Sequence, residues 1–157
     1  MVDTADWHAS LCFLYEYWRS VSPPGSLPGR QHFDPAAVVK LLPRLWLLDV
    51  QREPFRLRYR LAGTRIVEAI GREVTGQWLD EAHPHVGADP ASLERYRQVV
   101  ASGVPSRRKG RATLFHHNDY KTIENAIFPF AADGENVDLL MICTIFYRGD
   151  GGPDLAG

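Results

Sequence analysis

The stretch LWLLDVQREPFRLRYRLAGT, residues 45–64, decides how this chain folds. Its opening, LWLLDV, is apolar at odd and even positions alike. Successive side chains of a β-strand face opposite sides of the sheet, so a strand greasy on both parities belongs at a sheet centre. REP then turns the chain. In FRLRYRL, Phe55, Leu57, Tyr59 and Leu61 share one parity, and Arg56, Arg58 and Arg60 share the other. One apolar and one cationic face suit an edge strand, where charge keeps the outer side in water and discourages pairing with strangers. The two strands therefore read as an antiparallel hairpin, with Tyr59 and Leu61 facing inward. An anion-binding role for the arginines is confined to Arg58 and Arg60, nearest the next helix.

The last third reads as a meander. GRATLFHH (residues 110–117) and YKTIENAIFPFAA (residues 120–132) flank the turn residues Asn118 and Asp119. Asp133-Gly134 is a hairpin signal, because both positions tolerate positive φ. Residues 137–147 are again apolar on both parities. Pro129 lacks an N–H, which implies a bulge or a place away from the sheet centre. Five strands in the spatial order 2-1-5-4-3 put both doubly apolar strands inside and the arginine strand at an edge. The fold class is α+β, an antiparallel sheet with short helices on one face.

Around the strands, Trp7, Leu11, Leu14, Tyr15 and Trp18 recur at spacings of three and four, which predicts an amphipathic helix over residues 6–21. SPPGSLPG (residues 22–29) breaks regular structure. Asp34, Pro35 and Pro43 punctuate a short helix over residues 35–42. Thr64 caps RIVEAIG, and Asp89-Pro90 and Gly103 bound a longer helix. SRRKGR (residues 106–111), the chain's basic cluster, reads as a solvated loop. The expected division is an N-terminal helix and linker (residues 1–30), the sheet domain (residues 31–148) and a flexible tail (residues 149–157).

Bulk properties narrow the function. The 157 residues are 45% hydrophobic and 24% charged, an ordinary globular balance for one domain. Eighteen Lys and Arg against nineteen Asp and Glu leave a net charge of -1, so no global field draws the chain to nucleic acid or an anionic membrane. Its longest apolar run, residues 139–146, is far below the roughly 20 residues of a membrane span. Cys12 and Cys143 form no paired motif, and with no leader-like segment the chain reads as cytoplasmic.

The order of Tyr17-Trp18, Leu42-Pro43, the run from Tyr59 to Thr64, GREVTG with Thr75-Gly76, and FPFAADG resembles the PAS domain, in its compact bacterial form with an N-terminal helix. The resemblance implies a sensory or regulatory module of signal transduction. Such a module holds a small molecule between helices and sheet, has no catalytic residues of its own, and acts through a signalling partner or a homodimer. Flavin photosensors of the family carry a reactive cysteine between Asn and Arg; Cys12 and Cys143 lack those neighbours, so flavin is not expected, and a haem ligated by one of the chain's histidines is not expected either.

Projection toward the middle of the fold makes Tyr59, Trp78, Tyr96, Leu114, His116, Glu124 and Phe128 the candidate ligand-binding set. Trp7, Leu11, Leu14 and Trp18 must be covered by the sheet's outer face or by a second copy, which makes them the candidate dimer interface. His83, His85, His116 and His117 offer four imidazoles to a zinc ion, but neighbours on a strand face opposite ways, and no metal is expected. Two other functions remain open. One is an interaction module with a solid core; the other is a small hydrolase or isomerase built on a His116–Glu124 dyad.

Overall fold

The computed structural model describes residues 2–114, 122–149 and 151–153. Five strands, β1 (Leu45–Gln51), β2 (Arg56–Ala62), β3 (Ser106–Arg111), β4 (Thr122–Phe130) and β5 (Leu139–Tyr147), form one antiparallel sheet in the order β2-β1-β5-β4-β3. The two strands apolar on both parities lie inside. Every residue of β5 is buried, as a central strand between two covered faces requires.

One face carries the helices α2 (Thr64–Ile70), α3 (Leu79–Ala82), α4 (Pro84–Ala88) and α5 (Glu94–Ser102). They pack with Trp46, Leu48, Leu57, Tyr59, Ile127 and Ile142 into a first core. The opposite face is covered by α1 (Ala9–Val21) and a 3-10 segment, Pro35–Arg44. Leu11 and Leu14 are fully buried there and Trp18 nearly so, against Phe128, Phe130, Met141 and Cys143. At roughly 1.5–3 kcal/mol for each large apolar side chain removed from water, this docking dominates the placement of α1. The stripe expected to choose between its own sheet and a second copy is spent on its own sheet. Trp7 is partly buried at the margin of the same cluster.

Several local expectations are corrected. The edge strand does not alternate to its end: Leu48 pairs with Tyr59 while Leu47 pairs with Leu61, so β2 carries one extra residue at Arg60. A bulge of this kind reverses parity beyond it. Leu61 is therefore 45% exposed on the α1 side, whereas Leu57 and Tyr59 are buried among the helices. SRRKGR is β3 itself, an edge strand rather than a loop. The segment 35–44 is 3-10, with Asp34 accepting from the Ala36 N–H as its cap, and it runs through Pro43. Gly63, not Thr64, caps α2. Its conformation is ordinary, and what demands glycine is space: a Cβ would stand 2.4 Å from the Leu42 carbonyl oxygen.

Pro129 produces no bulge. β3 ends opposite Ile127, so Pro129 pairs with Leu140 of β5 and has no β3 residue beside it. Its carbonyl on that open edge accepts from the Trp18 indole N–H at 2.9 Å. The C-terminal residues expected as a tail begin with a turn, where Gly151 donates to the Arg148 carbonyl and Pro153 bridges to Tyr147.

Candidate functional site

The arginine row of β2 has specific tasks. Arg56 donates to both carboxylate oxygens of Asp80 at 2.9 and 2.8 Å and lies 4.2 Å from the Trp78 ring centre. This fork raises the Arg56 pKa and lowers that of Asp80. Arg58 donates to the Gly76 carbonyl, and Arg60 pairs with Asp49. Segment 76–78 meanwhile hydrogen-bonds the free edge of β2, with Tyr59 N–H to Gln77 O at 2.9 Å and Gly76 N–H to Tyr59 O at 2.7 Å. Gly76, at a φ of 88°, makes that turn. Arg56 and Arg58 thus pin α3 and its approach to the sheet, Arg60 ties β2 to β1, and the chain closes its own edge.

Behind this strap lies a partly enclosed cavity of about 240 Å³ between helices and sheet. Trp46, Ile123 and Asn125 form its floor, Leu79, Val86 and Tyr96 its roof, and Thr113 and Leu114 part of its wall. Its cations come from two elements. Arg95 reaches down from α5 and donates to Asn125 Oδ1 at 2.6 Å, Ser106 Oγ at 3.0 Å and the Ser106 carbonyl at 2.9 Å. Arg108 enters from β3 and donates to the Arg111 carbonyl at 2.6 Å. Burial, with Arg108 nearby, lowers Arg95 to about 10. Among the described residues no carboxylate pairs with either guanidinium. His85 completes the polar wall, donating from Nε2 to the Thr113 carbonyl at 2.7 Å.

The candidate ligand set is divided by this geometry. Tyr96 and Leu114 line the cavity. Tyr59 lies beside Trp46, with its hydroxyl 2.8 Å from His83 Nε2, and burial pushes its pKa well up. Trp78 sits at the sheet edge under Arg56 and Arg58. Glu124 and Phe128, expected toward the middle, belong to the α1 face: Phe128 is in the α1 core, and Glu124 shares its parity. His116 and His117 lie outside the described residues.

Glu124 is 1% exposed and holds three donors: Tyr147 Oη at 2.6 Å, the His8 N–H at 2.7 Å and Arg107 Nε at 3.1 Å. Burial raises its carboxyl, and these bonds more than offset that, leaving the pKa below the ordinary value. Tyr147 is pushed up to about 12 by burial and by this bond. The glutamate of the supposed His116–Glu124 dyad is therefore committed to anchoring α1. Among the described residues no group of three or more His, Cys, Asp and Glu is placed to hold a metal.

Sequence reasoning missed Arg95, Arg108 and Asn125 as cavity residues. The usable signal was parity: Asn125 alternates with Ile123 and Ile127, both of which are buried on the helix face.

On the opposite face, a larger groove of about 800 Å³ is apolar, with Phe33, Val39, Leu47, Leu61 and Met141 among its walls. Val39 is 60% exposed there. Among the described residues no helix is long and apolar enough to cross a membrane.

A five-stranded antiparallel sheet with a helical cover over a small cavity on one face, and an N-terminal helix on the other, defines an α+β module. The chain belongs to the PAS domain family, whose sequence profile matches residues 7–141. PAS domains are signalling modules that sense or interact, and they are typically non-enzymatic. Among solved structures, the chain is similar to the PAS domain of Bordetella pertussis BvgS. The identity is 16%, the match covers 87% of this chain and 88% of that one, and the TM-score is 0.48. No curated protein matches.

Proposed function

We propose that this protein is a small-molecule sensor of signal transduction, which binds its ligand in the cavity between α5 and the sheet and passes the signal to a partner protein or a second copy. The observation that carries this reading is a cavity that combines apolar walls from Trp46, Ile123, Leu79 and Val86 with convergent polar groups from three elements, Arg95, Arg108 and Asn125. At about 240 Å³ it is below the roughly 300–1,000 Å³ of drug-sized sites, so the ligand is small. Two free cysteines, one of them buried, support a reducing, cytoplasmic setting. Because Leu11, Leu14 and Trp18 are consumed by their own sheet, a homodimer would use other surfaces.

The test is an amide-resolved titration with a library of small charged and neutral metabolites. Ligands are expected to shift the resonances of Ser92, Tyr96, Arg108 and Asn125 together. A library with no member that moves this set refutes the sensor reading. An interaction module without ligand is the second reading, favoured by the apolar groove at Val39 and Leu61. It gains ground if the cavity set stays silent while groove resonances shift on adding a partner.

A further inference from the structure

Resting on the sensor reading, we propose that the cavity ligand is a small organic carboxylate, its anionic end facing Arg108 and Arg95 and its carbon body packed against Trp46, Leu79 and Val86. Charge provides the first argument. Two guanidiniums from different elements converge on one small cavity, and no described carboxylate answers either of them. Elsewhere on the sheet the chain does provide such partners: Arg56 has Asp80, Arg60 has Asp49 and Arg107 has Glu124. A partly buried cation pair without an anion is costly, and an entering anion relieves both members at once.

Hydrogen-bond geometry supplies the second argument. Arg95 donates to Asn125, Ser106 and their carbonyls, which fixes its plane and leaves it to act through charge. Among the described residues Arg108 makes a single hydrogen bond, to a backbone carbonyl, so most of its fork remains to be filled, and a planar fork matches a carboxylate in two parallel bonds. The walls provide the third. Trp46, Leu79, Val86 and Ile123 would leave a bare inorganic phosphate against hydrocarbon, whereas a carboxylate on an aliphatic body satisfies both halves.

Calorimetry on the full chain tests this with succinate, glutarate, butyrate, the uncharged diamide succinamide and inorganic phosphate, followed by a neutral metabolite library. At least one carboxylate is expected to bind at least about tenfold more tightly than succinamide and than phosphate. Arg108→Gln should cost that ligand at least about tenfold, the scale of a lost charge-assisted bond, and Arg108→Lys should recover part of it. Lys109→Gln, on the other face of β3 over Tyr147, should change affinity by less than about twofold, a surface pair away from the cavity. If Arg108→Gln does not fold, the comparison of carboxylate with diamide on the wild-type chain still decides. Equal binding of diamide and carboxylate, tighter binding of phosphate, or a folded Arg108→Gln with unchanged affinity overturns the carboxylate assignment and leaves the sensor reading intact. Neutral ligands binding where no carboxylate does has the same result. Silence from every compound overturns both.

Discussion

Replacing Glu124 with glutamine removes one charge and keeps the shape, and three contacts depend on that charge. The carboxylate accepts from Tyr147, from Arg107 and from the backbone N–H of His8, at 2.6, 3.1 and 2.7 Å, while 1% exposed. A hydrogen bond to a charged group is worth about 1.5–3 kcal/mol net, and removing one partner of a buried ionic cluster costs about 3–5 kcal/mol. Glutamine retains one acceptor and presents an NH2 to groups that are themselves donors. Glu124→Gln should therefore lower unfolding free energy by about 2–4 kcal/mol, read from the urea midpoint at unchanged m. The anchor lies at the start of α1, so exchange of the amides at residues 8–14 should accelerate more than exchange in β5.

The acid limb isolates the charge. A carboxyl held below its ordinary value in the folded state contributes fully above the unfolded value, about 4.3 for glutamate, and loses that contribution as pH falls through the folded value. The stability difference between wild type and Glu124→Gln should be constant from pH 7 to about pH 5 and shrink below that. A loss under about 1 kcal/mol, or a difference independent of pH down to the acid limit, would refute the assignment of Glu124 as the charged anchor of α1.

The bulge in β2 predicts unequal consequences from identical substitutions: Leu57→Ala should cost about 2–5 kcal/mol, and Leu61→Ala, on an exposed position, within about 1 kcal/mol by the same melts. Gly63→Ala should destabilise by about 1–3 kcal/mol, because its methyl meets the Leu42 and Pro43 carbonyls; a neutral result would show that this junction relaxes freely. Trp18→Phe keeps the ring in the core but removes the donor to Pro129, and should cost about 1 kcal/mol beyond any packing loss, with protection at Phe128 and Phe130 falling first in hydrogen exchange.

The sheet order was legible because it follows from which strands can tolerate two covered faces, a property written in the parity of residues 45–50 and 137–147. The cavity was not. Its cations come from a strand whose composition, SRRKGR, is that of a solvated loop, and from a helix whose apolar stripe marks Tyr96 and not Arg95 as the inward residue. Parity carried the reading through Tyr59 and failed at Leu61, since one inserted residue at Arg60 turns the strand over without altering the alternation on the page. Glu124 shows the same limit from the other side. Its parity partners Ala126 and Phe128 could have been assigned to either face, and only the docking of α1 decides which.

The doublet Arg107-Arg108 has a further consequence. Neighbours on a strand point to opposite faces, so Arg107 meets Glu124 under α1 while Arg108 enters the cavity. A slip of β3 by one residue along β4 would exchange the two and still give each face an arginine. Side-chain identity at these positions therefore cannot specify the alignment. What distinguishes the two alignments is Arg95, which grips Ser106 at both its hydroxyl and its carbonyl while holding Asn125 of β4 through the same guanidinium. That guanidinium works as an indexing pin: it reads one residue from each strand and admits only the pairing of Ser106 with Ile127 that sets the whole ladder.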